Sequence, residues 1–311
     1  MKILVTGATG FLGKYLCERL KKDRHELILV SQKGNQEDLN EERITHLKLD
    51  LTNNEELSVL PEDVNCIINL AGKIPLDTSL ESEKECFNVN VLATLNLLNY
   101  ARRINLKKFI QASTLAVYGN QNSNVKEDAP KKPLHSYGIS KLAAEQLCLQ
   151  YESEGRKMVI LRFAHLYGHG QSPKGVIPFF ISKAMNKEPI TVHGEGNNVM
   201  DFIYVKDAVS ATMLALYKDM WNRGISKGIY NIGSLKPTNL REISKEVNEI
   251  FANNQSQIIF DTEKEERDPY GVWGFNMDSS RAKQDLGYVA HYNLEYGFRS
   301  FKEIKEENQS G

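Results

Sequence analysis

Short apolar runs of four to six residues alternate along the chain with longer stretches in which apolar positions recur every three or four residues. The runs at 3–6, 27–30, 46–49, 66–70, 109–112, 158–163 and 228–232 read as strands. Residues 10–22, 83–104, 136–154 and 207–218 read as helices; in the first of these, Leu12, Leu16 and Leu20 recur four apart. Strands that are apolar without alternation are buried on both faces, and strands separated by helices are joined by parallel crossovers. The expected fold class is α/β, a doubly wound parallel sheet with a second, smaller domain.

After residue 235 the pattern changes. Helix signals at 239–251 and 279–286 are separated by long polar loops, and residues 170–196 hold one apolar helix among Gly, Pro and Asn. The expected organisation is a dinucleotide-binding domain over 1–169, to which 201–234 return, and a substrate domain made of 170–200 and 235–311. The polar tail 302–311 is expected to fray. No internal repeat or low-complexity tract is visible.

With 41% hydrophobic and 25% charged residues, the 311-residue chain has the makeup of a soluble globular protein. A disordered chain would hold fewer apolar residues. No apolar run approaches the roughly 20 residues that span a bilayer. The chain opens directly on a strand without a signal-peptide pattern, so a cytoplasmic location is expected. Lys and Arg number 39 against 40 Asp and Glu. That balance offers none of the clustered positive charge that nucleic acid or an anionic membrane needs. Cys17, Cys66, Cys86 and Cys148 form no CxxC pair and are expected as buried free thiols. His165 and His169 are spaced like a metal pair but flank a glycine loop, and no metal is expected.

The segment TGATGFLG at 6–13 follows the first strand and opens the first helix. Glycines in such a turn allow a tight bend, close approach of backbone to a pyrophosphate, and close helix–strand packing. The helix N-terminus then offers free N–H groups to phosphates. The spacing is GxxGxxG. Together with LDLTN at 49–53, NLAG at 69–72, NVNVLATLNLL at 88–98, STLAVYG at 113–119, YGISK at 137–141, LRFAHLYG at 161–168, DFIYVKDA at 201–208, NIGS at 231–234 and DSSRAKQDLGY at 278–288, it resembles the extended short-chain dehydrogenase/reductase family, also called the NAD-dependent epimerase/dehydratase family. The resemblance covers nearly the whole chain and implies a Rossmann-type sheet with a smaller C-terminal α/β substrate domain.

Tyr137 and Lys141 are four apart at the start of a helix pattern and share one face. A Tyr of ordinary pKa is a poor base, and a neighbouring ammonium is expected to lower that pKa. Such a pair suits proton exchange at a carbinol whose carbon gives or takes hydride. The resemblance makes Thr114 the third catalytic group, with Ser113 as its support. It further implies Gly7, Thr9, Gly10, Phe11, Leu12 and Gly13 at the cofactor phosphates and Ser31 and Lys33 at its ribose. Asp50 and Leu51 would lie near the adenine, and Leu70, Ala71, Gly72 and Lys73 along the pyrophosphate. Asn90, Ala112, Ser113, Tyr137, Lys141 and Phe163 would line the nicotinamide end. The family's dehydratases carry an acidic pair after the Thr; Leu115 and Ala116 stand here, which argues against a 4,6-elimination.

Two regions depart from the family. The second strand ends Val30-Ser31-Gln32-Lys33, without the acid that selects NAD, so the cofactor is NAD or NADP. The resemblance places Thr114, His165, Val176, Val192, His193, Met200 and Arg267 around the substrate. His165 stands for a usual Asn, Gly175 for another, and Met200 for an Arg that holds a diphosphate; Arg267 matches the second such Arg. The expected function is an NAD(P)-dependent nucleotide-sugar 4-epimerase acting through a 4-keto intermediate. An NADPH-dependent 4-keto-sugar-nucleotide reductase is the alternative, and a non-catalytic nucleotide-binding regulator a remoter one. A UDP-sugar is the favoured substrate. The long helices at 83–104 and 136–154 form a homodimer bundle in many relatives, so a homodimer is expected.

Overall fold

The computed structural model describes residues 1–32, 42–121, 124–217, 228–234, 236–264 and 274–309, with side chains in the last helix as far as residue 302. Seven strands form one sheet: β1 (Lys2–Thr6), β2 (Glu26–Ser31), β3 (Ile44–Lys48), β4 (Cys66–Asn69), β5 (Lys108–Thr114), β6 (Met158–Phe163) and β10 (Ile229–Ile232). Their order is β10-β6-β5-β4-β1-β2-β3, and every pairing is parallel. The seven apolar runs in the sequence are these seven strands.

Side chains alternate across this sheet into two cores. Ile3, Val5, Ile68, Ile110 and Leu161 pack with Leu12, Leu16 and Leu20 of α1 (Phe11–Lys22) and with Ala208, Ala211 and Ala215 of α6 (Val205–Tyr217). Leu4, Ile67, Phe109 and Ile160 face the other way, against Leu97 and Ala101 of α3 (Ala93–Arg103) and Cys148 and Tyr151 of α4 (Ser136–Ser153). Both faces of the central strands are covered, which is why β1, β2, β4 and β6 are mostly apolar, while the edge strand β3 keeps exposed positions. All four cysteines are buried free thiols.

The expected helix over 83–104 is divided. It begins as α2 (Leu80–Phe87), with the Ser79 hydroxyl capping the Ser82 N–H, passes through a π-helical turn at Asn88–Leu92, and continues as α3. A π turn inserts one residue without ending the helix, so the apolar period barely registers it.

The remaining elements lie outside this sheet. The helices α5 (Val176–Met185) and α7 (Leu240–Ala252) pack together, and β8 (Ile190–His193) pairs in parallel with β11 (Ile258–Asp261). A further two-stranded pair is made of β7 (His165–Tyr167) and β9 (Phe202–Tyr204). α8 (Ser280–Leu286) lies against β10. The tail expected to fray is instead helical as far as Gln309 in α9 (Leu294–Gln309). Phe298 of this helix is fully buried and Ser300 nearly so. Residues 310–311 lie outside the described residues. Among the described residues no helix is long and apolar enough to cross a membrane.

Candidate active site

The glycine turn lies where β1 meets α1. Gly7 has φ +66°, and a Cβ on it would come within 2.8 Å of the backbone at Leu70 and Ala71. A Cβ on Gly13 would lie 2.2 Å from the Gly7 carbonyl oxygen. Glycine is required at both positions, once for conformation and once for close packing. Gly10 caps α1 without a side chain, so the first N–H groups of the helix are left for a ligand. These features fit a dinucleotide pyrophosphate. Thr9 and Phe11 are half-buried on the same turn, while Leu12 packs into the core. The Phe11 ring sits edge-on to Tyr15, with centroids 5.8 Å apart.

The ends of β1 and β4 are tied by side chains. The Thr6 hydroxyl donates to Asn69 Oδ1 at 2.5 Å and accepts from the Ala71 N–H at 3.2 Å. Beyond Leu70 and Ala71, the backbone of Lys73 is held by Asn90, whose position in the π turn turns its amide toward this loop. The same amide donates to Ser140 Oγ at 2.9 Å. Lys73 Nζ pairs with Glu85 of α2 at 2.5 Å rather than standing alone for a phosphate. Ser31 ends β2, and its carbonyl accepts from the Leu49 N–H at 3.3 Å. Asp50 Oδ1 is taken by the N–H and hydroxyl of Thr52, and Leu51 is buried. Lys33 lies outside the described residues.

At the end of β5 the three residues expected to be catalytic come together. Thr114 starts a tight 3-10 turn (Leu115–Val117); its Oγ accepts from the Ala116 N–H at 3.2 Å and is hydrogen-bonded to Tyr137. Phe163 ends β6 directly beside Thr114 in the register. Lys141, one helical turn after Tyr137, is 4% exposed and donates to the Ala112 carbonyl at 2.5 Å. Its Nζ lies 3.9 Å from where a Cβ on Gly72 would sit, which brings it to the cofactor loop.

The electrostatics differ from expectation. Burial pushes the Tyr137 phenol up to about 12, with the Thr114 hydrogen bond opposing it and Cys86 adding to it. Burial lowers the Lys141 ammonium to about 8, opposed by Glu145 and, less strongly, by Cys148 and Cys86. The expected lowering of Tyr137 by Lys141 is not found: the groups that bear on the phenol are Thr114 and Cys86, and burial prevails. A bound pyridinium cation would add positive charge in the direction that favours the phenolate.

Ser113 does not support Thr114 directly. Adjacent strand residues point to opposite faces, and its hydroxyl donates to Glu145 Oε1 at 2.5 Å. Glu145 is held in turn by Arg162 of β6 through Nε at 2.9 Å and Nη2 at 2.6 Å. Arg162 Nη1 donates to Tyr118 Oη at 2.7 Å and to the Glu127 carbonyl at 3.0 Å. This buried charged cluster was not anticipated, although Glu145 four residues after Lys141 is a readable signal.

On the substrate side the expected residues separate. His165 is half-buried beside Phe202, with Nδ1 3.2 Å from the Asp201 carbonyl, while His169 sits edge-on to Phe301. The two histidines thus turn to different neighbours, and among the described residues no cluster of three or more His, Cys, Asp or Glu is poised for a metal. Val176 begins α5 and is half-buried. Val192 is in the core, and His193 next to it is exposed at the end of β8. Met200 is buried and its backbone exchanges two hydrogen bonds with Thr238. Arg267 lies outside the described residues.

A doubly wound parallel sheet, a glycine cradle and a Thr–Tyr–Lys set define a nicotinamide-dinucleotide-dependent enzyme. The model of the NAD dependent epimerase/dehydratase family matches residues 3–233, and the chain belongs to that family. An uncharacterized UDP-glucose epimerase of Bacillus subtilis is 31% identical over 96% of this chain and 95% of its own. The UDP-glucuronic acid 4-epimerase of Bacillus cereus, solved with UDP-glucuronic acid and NAD, aligns with TM-score 0.85 and 27% identity over 99% of this chain and 100% of its own. The UDP-glucose 4-epimerase of Thermotoga maritima, solved with UDP-glucose, aligns with TM-score 0.86 and 26% identity over 99% and 100%.

Proposed function

We propose that this chain is a nucleotide-sugar 4-epimerase acting on a UDP-sugar. The observation that carries the reading is the Thr114–Tyr137 hydrogen bond beside a glycine cradle, in a chain that aligns end to end with UDP-sugar 4-epimerases. A bound nicotinamide would supply the hydride acceptor and donor for C4 of the sugar. Tyr137 would take the O4 proton as hydride leaves C4 and return it to O4 after the 4-keto sugar has turned its opposite face to the cofactor, so that the returning hydride inverts C4. Thr114 holds the O4 oxygen in line with the phenol. Lys141 stabilises the phenolate and meets the cofactor ribose from its place beside Gly72. Arg267 holds the diphosphate without the second Arg that Met200 replaces.

The domains follow from the same reading: 1–169 with 201–234 hold the dinucleotide, and 170–200 with 235–311 close over the sugar nucleotide. A homodimer is part of it. Phe87, Leu92 and Leu95 on the α2–α3 helix and Ile139 on α4 are exposed apolar residues on two helices that pack side by side. Sedimentation should give twice the chain mass.

The test incubates the protein with UDP-glucose and UDP-glucuronic acid and resolves the C4 epimers. Interconversion without net cofactor consumption is expected, and Tyr137→Phe should reduce kcat about 10²–10⁴-fold while leaving dinucleotide affinity intact. Ser31, a neutral residue at the end of β2, favours the rival reductase reading. Stoichiometric NADPH oxidation with a 4-keto sugar nucleotide, and no epimerisation, would establish that rival.

A further inference from the structure

Three consecutive residues at the end of β5 are matched to three residues of α4 spaced four apart. Thr114 bonds Tyr137, the Ala112 carbonyl accepts from Lys141 at 2.5 Å, and Ser113 donates to Glu145 at 2.5 Å. Tyr137, Lys141 and Glu145 therefore form one stripe of the helix, read out against one strand end. The first two positions carry the chemistry. The third is a carboxylate with no exposure, gripped in a two-pronged bond by an arginine that is 1% exposed.

We propose that Glu145 is a positioning residue for the catalytic pair: anchored by Arg162, it fixes the register of α4 against β5 and supplies the counter-charge to the Lys141 ammonium. The inference rests on the epimerase reading for its kinetic consequence, but its electrostatic consequence belongs to the protein alone.

The surroundings of Lys141 single out Glu145. The ionisable groups that bear on the ammonium are Glu145 and Cys148 from α4 and Cys86 from α2. Burial raises the thiols of Cys86 and Cys148, so both are neutral over the working range and bring no counter-charge. β5 contributes only the Ala112 carbonyl dipole, and Asn90 of the π turn is a neutral amide. Glu145 is the group that opposes the desolvation of Lys141 most strongly. A buried ion pair adds little net stability over apolar residues of similar size, so Glu145 and Arg162 together gain meaning from what the carboxylate does for Lys141.

The test has two readouts. Lysine labelled with ¹³C at Cε is incorporated, and the Lys141 resonance, assigned by its loss in Lys141→Met, is titrated by NMR in the intact protein. In Glu145→Gln its midpoint should fall by at least one pH unit. In the epimerase assay the alkaline limb of kcat should shift the same way, so that kcat falls about tenfold further at pH 8.5 than at pH 6.5, with KM for the UDP-sugar little changed. Glu145→Gln leaves the Arg162 guanidinium buried against a neutral amide and lowers stability. Glu145→Met with Arg162→Met removes both charges and should fold with near-native stability while showing the same two shifts. An unchanged Lys141 midpoint in a folded variant overturns the proposal and leaves Glu145 a structural ion-pair partner. If the native enzyme epimerises no UDP-sugar, the functional reading fails, and the NMR midpoint alone decides the role of Glu145.

Discussion

The side-chain amide of Asn90 closes two hydrogen bonds on the backbone of Lys73, accepting from its N–H at 2.8 Å and donating to its carbonyl at 2.9 Å. The amide thus acts as a one-residue strand partner for the loop that leaves β4. That loop also carries Gly72, where an added Cβ would lie 3.9 Å from Lys141 Nζ.

Asn90→Ala should therefore loosen the cofactor loop. Two hydrogen bonds worth about 1 kcal/mol each would be lost, and the Lys73 backbone left partly unsatisfied. Dinucleotide affinity should drop about tenfold, measured by calorimetry, while the UDP-binding affinity changes little. Unchanged cofactor affinity would remove Asn90 from the site.

Gly13→Ala tests the packing of α1 on β1. Its Cβ would meet the Gly7 carbonyl oxygen at 2.2 Å and that of Ala8 at 2.7 Å, both backbone atoms that cannot swing away. Overpacking of this kind costs about 1–3 kcal/mol. The variant should melt several degrees lower and bind dinucleotide at least tenfold more weakly, since the displaced carbonyl belongs to the phosphate turn. A variant with native Tm and native affinity would mean that the two elements can separate freely.

The buried Lys141 makes stability and activity respond to pH in opposite senses. Its folded pKa, about 8, lies below the value of 10.5 for an exposed lysine. Between those values the unfolded chain holds more protons, so this group's contribution to stability rises with pH. Relative to Lys141→Met, the native protein should gain a few degrees of Tm from pH 8 to 10.5. Over the same range turnover should decline as the ammonium is lost. A Tm difference that is flat in pH would show that Lys141 is not titrating there.

Cofactor choice is checked by titrating NAD and NADP in the same buffer. No carboxylate ends β2, so the 2′-phosphate meets no fixed negative charge at Ser31, and NADP should bind at least as well as NAD. A tenfold preference for NAD, about 1.4 kcal/mol, would require an acid contributed from elsewhere in the chain.

The parallel sheet was legible because all its strands but the edge strand β3 are largely buried on both faces and carry no polar interruption long enough to disguise them. The glycine turn and the Tyr137–Lys141 spacing were legible because their chemistry is local. What the sequence concealed is mostly non-local. The β7–β9 and β8–β11 pairs join segments of three or four residues far apart in the chain. The π turn changes helical phase by a single residue within an unbroken amphipathic run. Val192 alternates inward in a strand too short for its period to be read, and Met200 is fixed by a bridge to Thr238. Arg162 lies in an apolar strand, where a lone charge gives no hint of its partner on a helix that precedes it.

The chain order of the sheet bears on what can be cut away. β10 pairs with β6 through Ile229–Ile160 to Ile232–Phe163, so the last strand of this sheet to be made covers the flank of one completed some 65 residues earlier. A chain stopped after β6 would present that flank as a naked row of N–H and carbonyl groups on a strand that is apolar but for Arg162. Such an edge recruits other chains. Fragments ending short of residue 232 should therefore aggregate as they are synthesised, and nascent protein should depend on chaperones until β10 has left the ribosome.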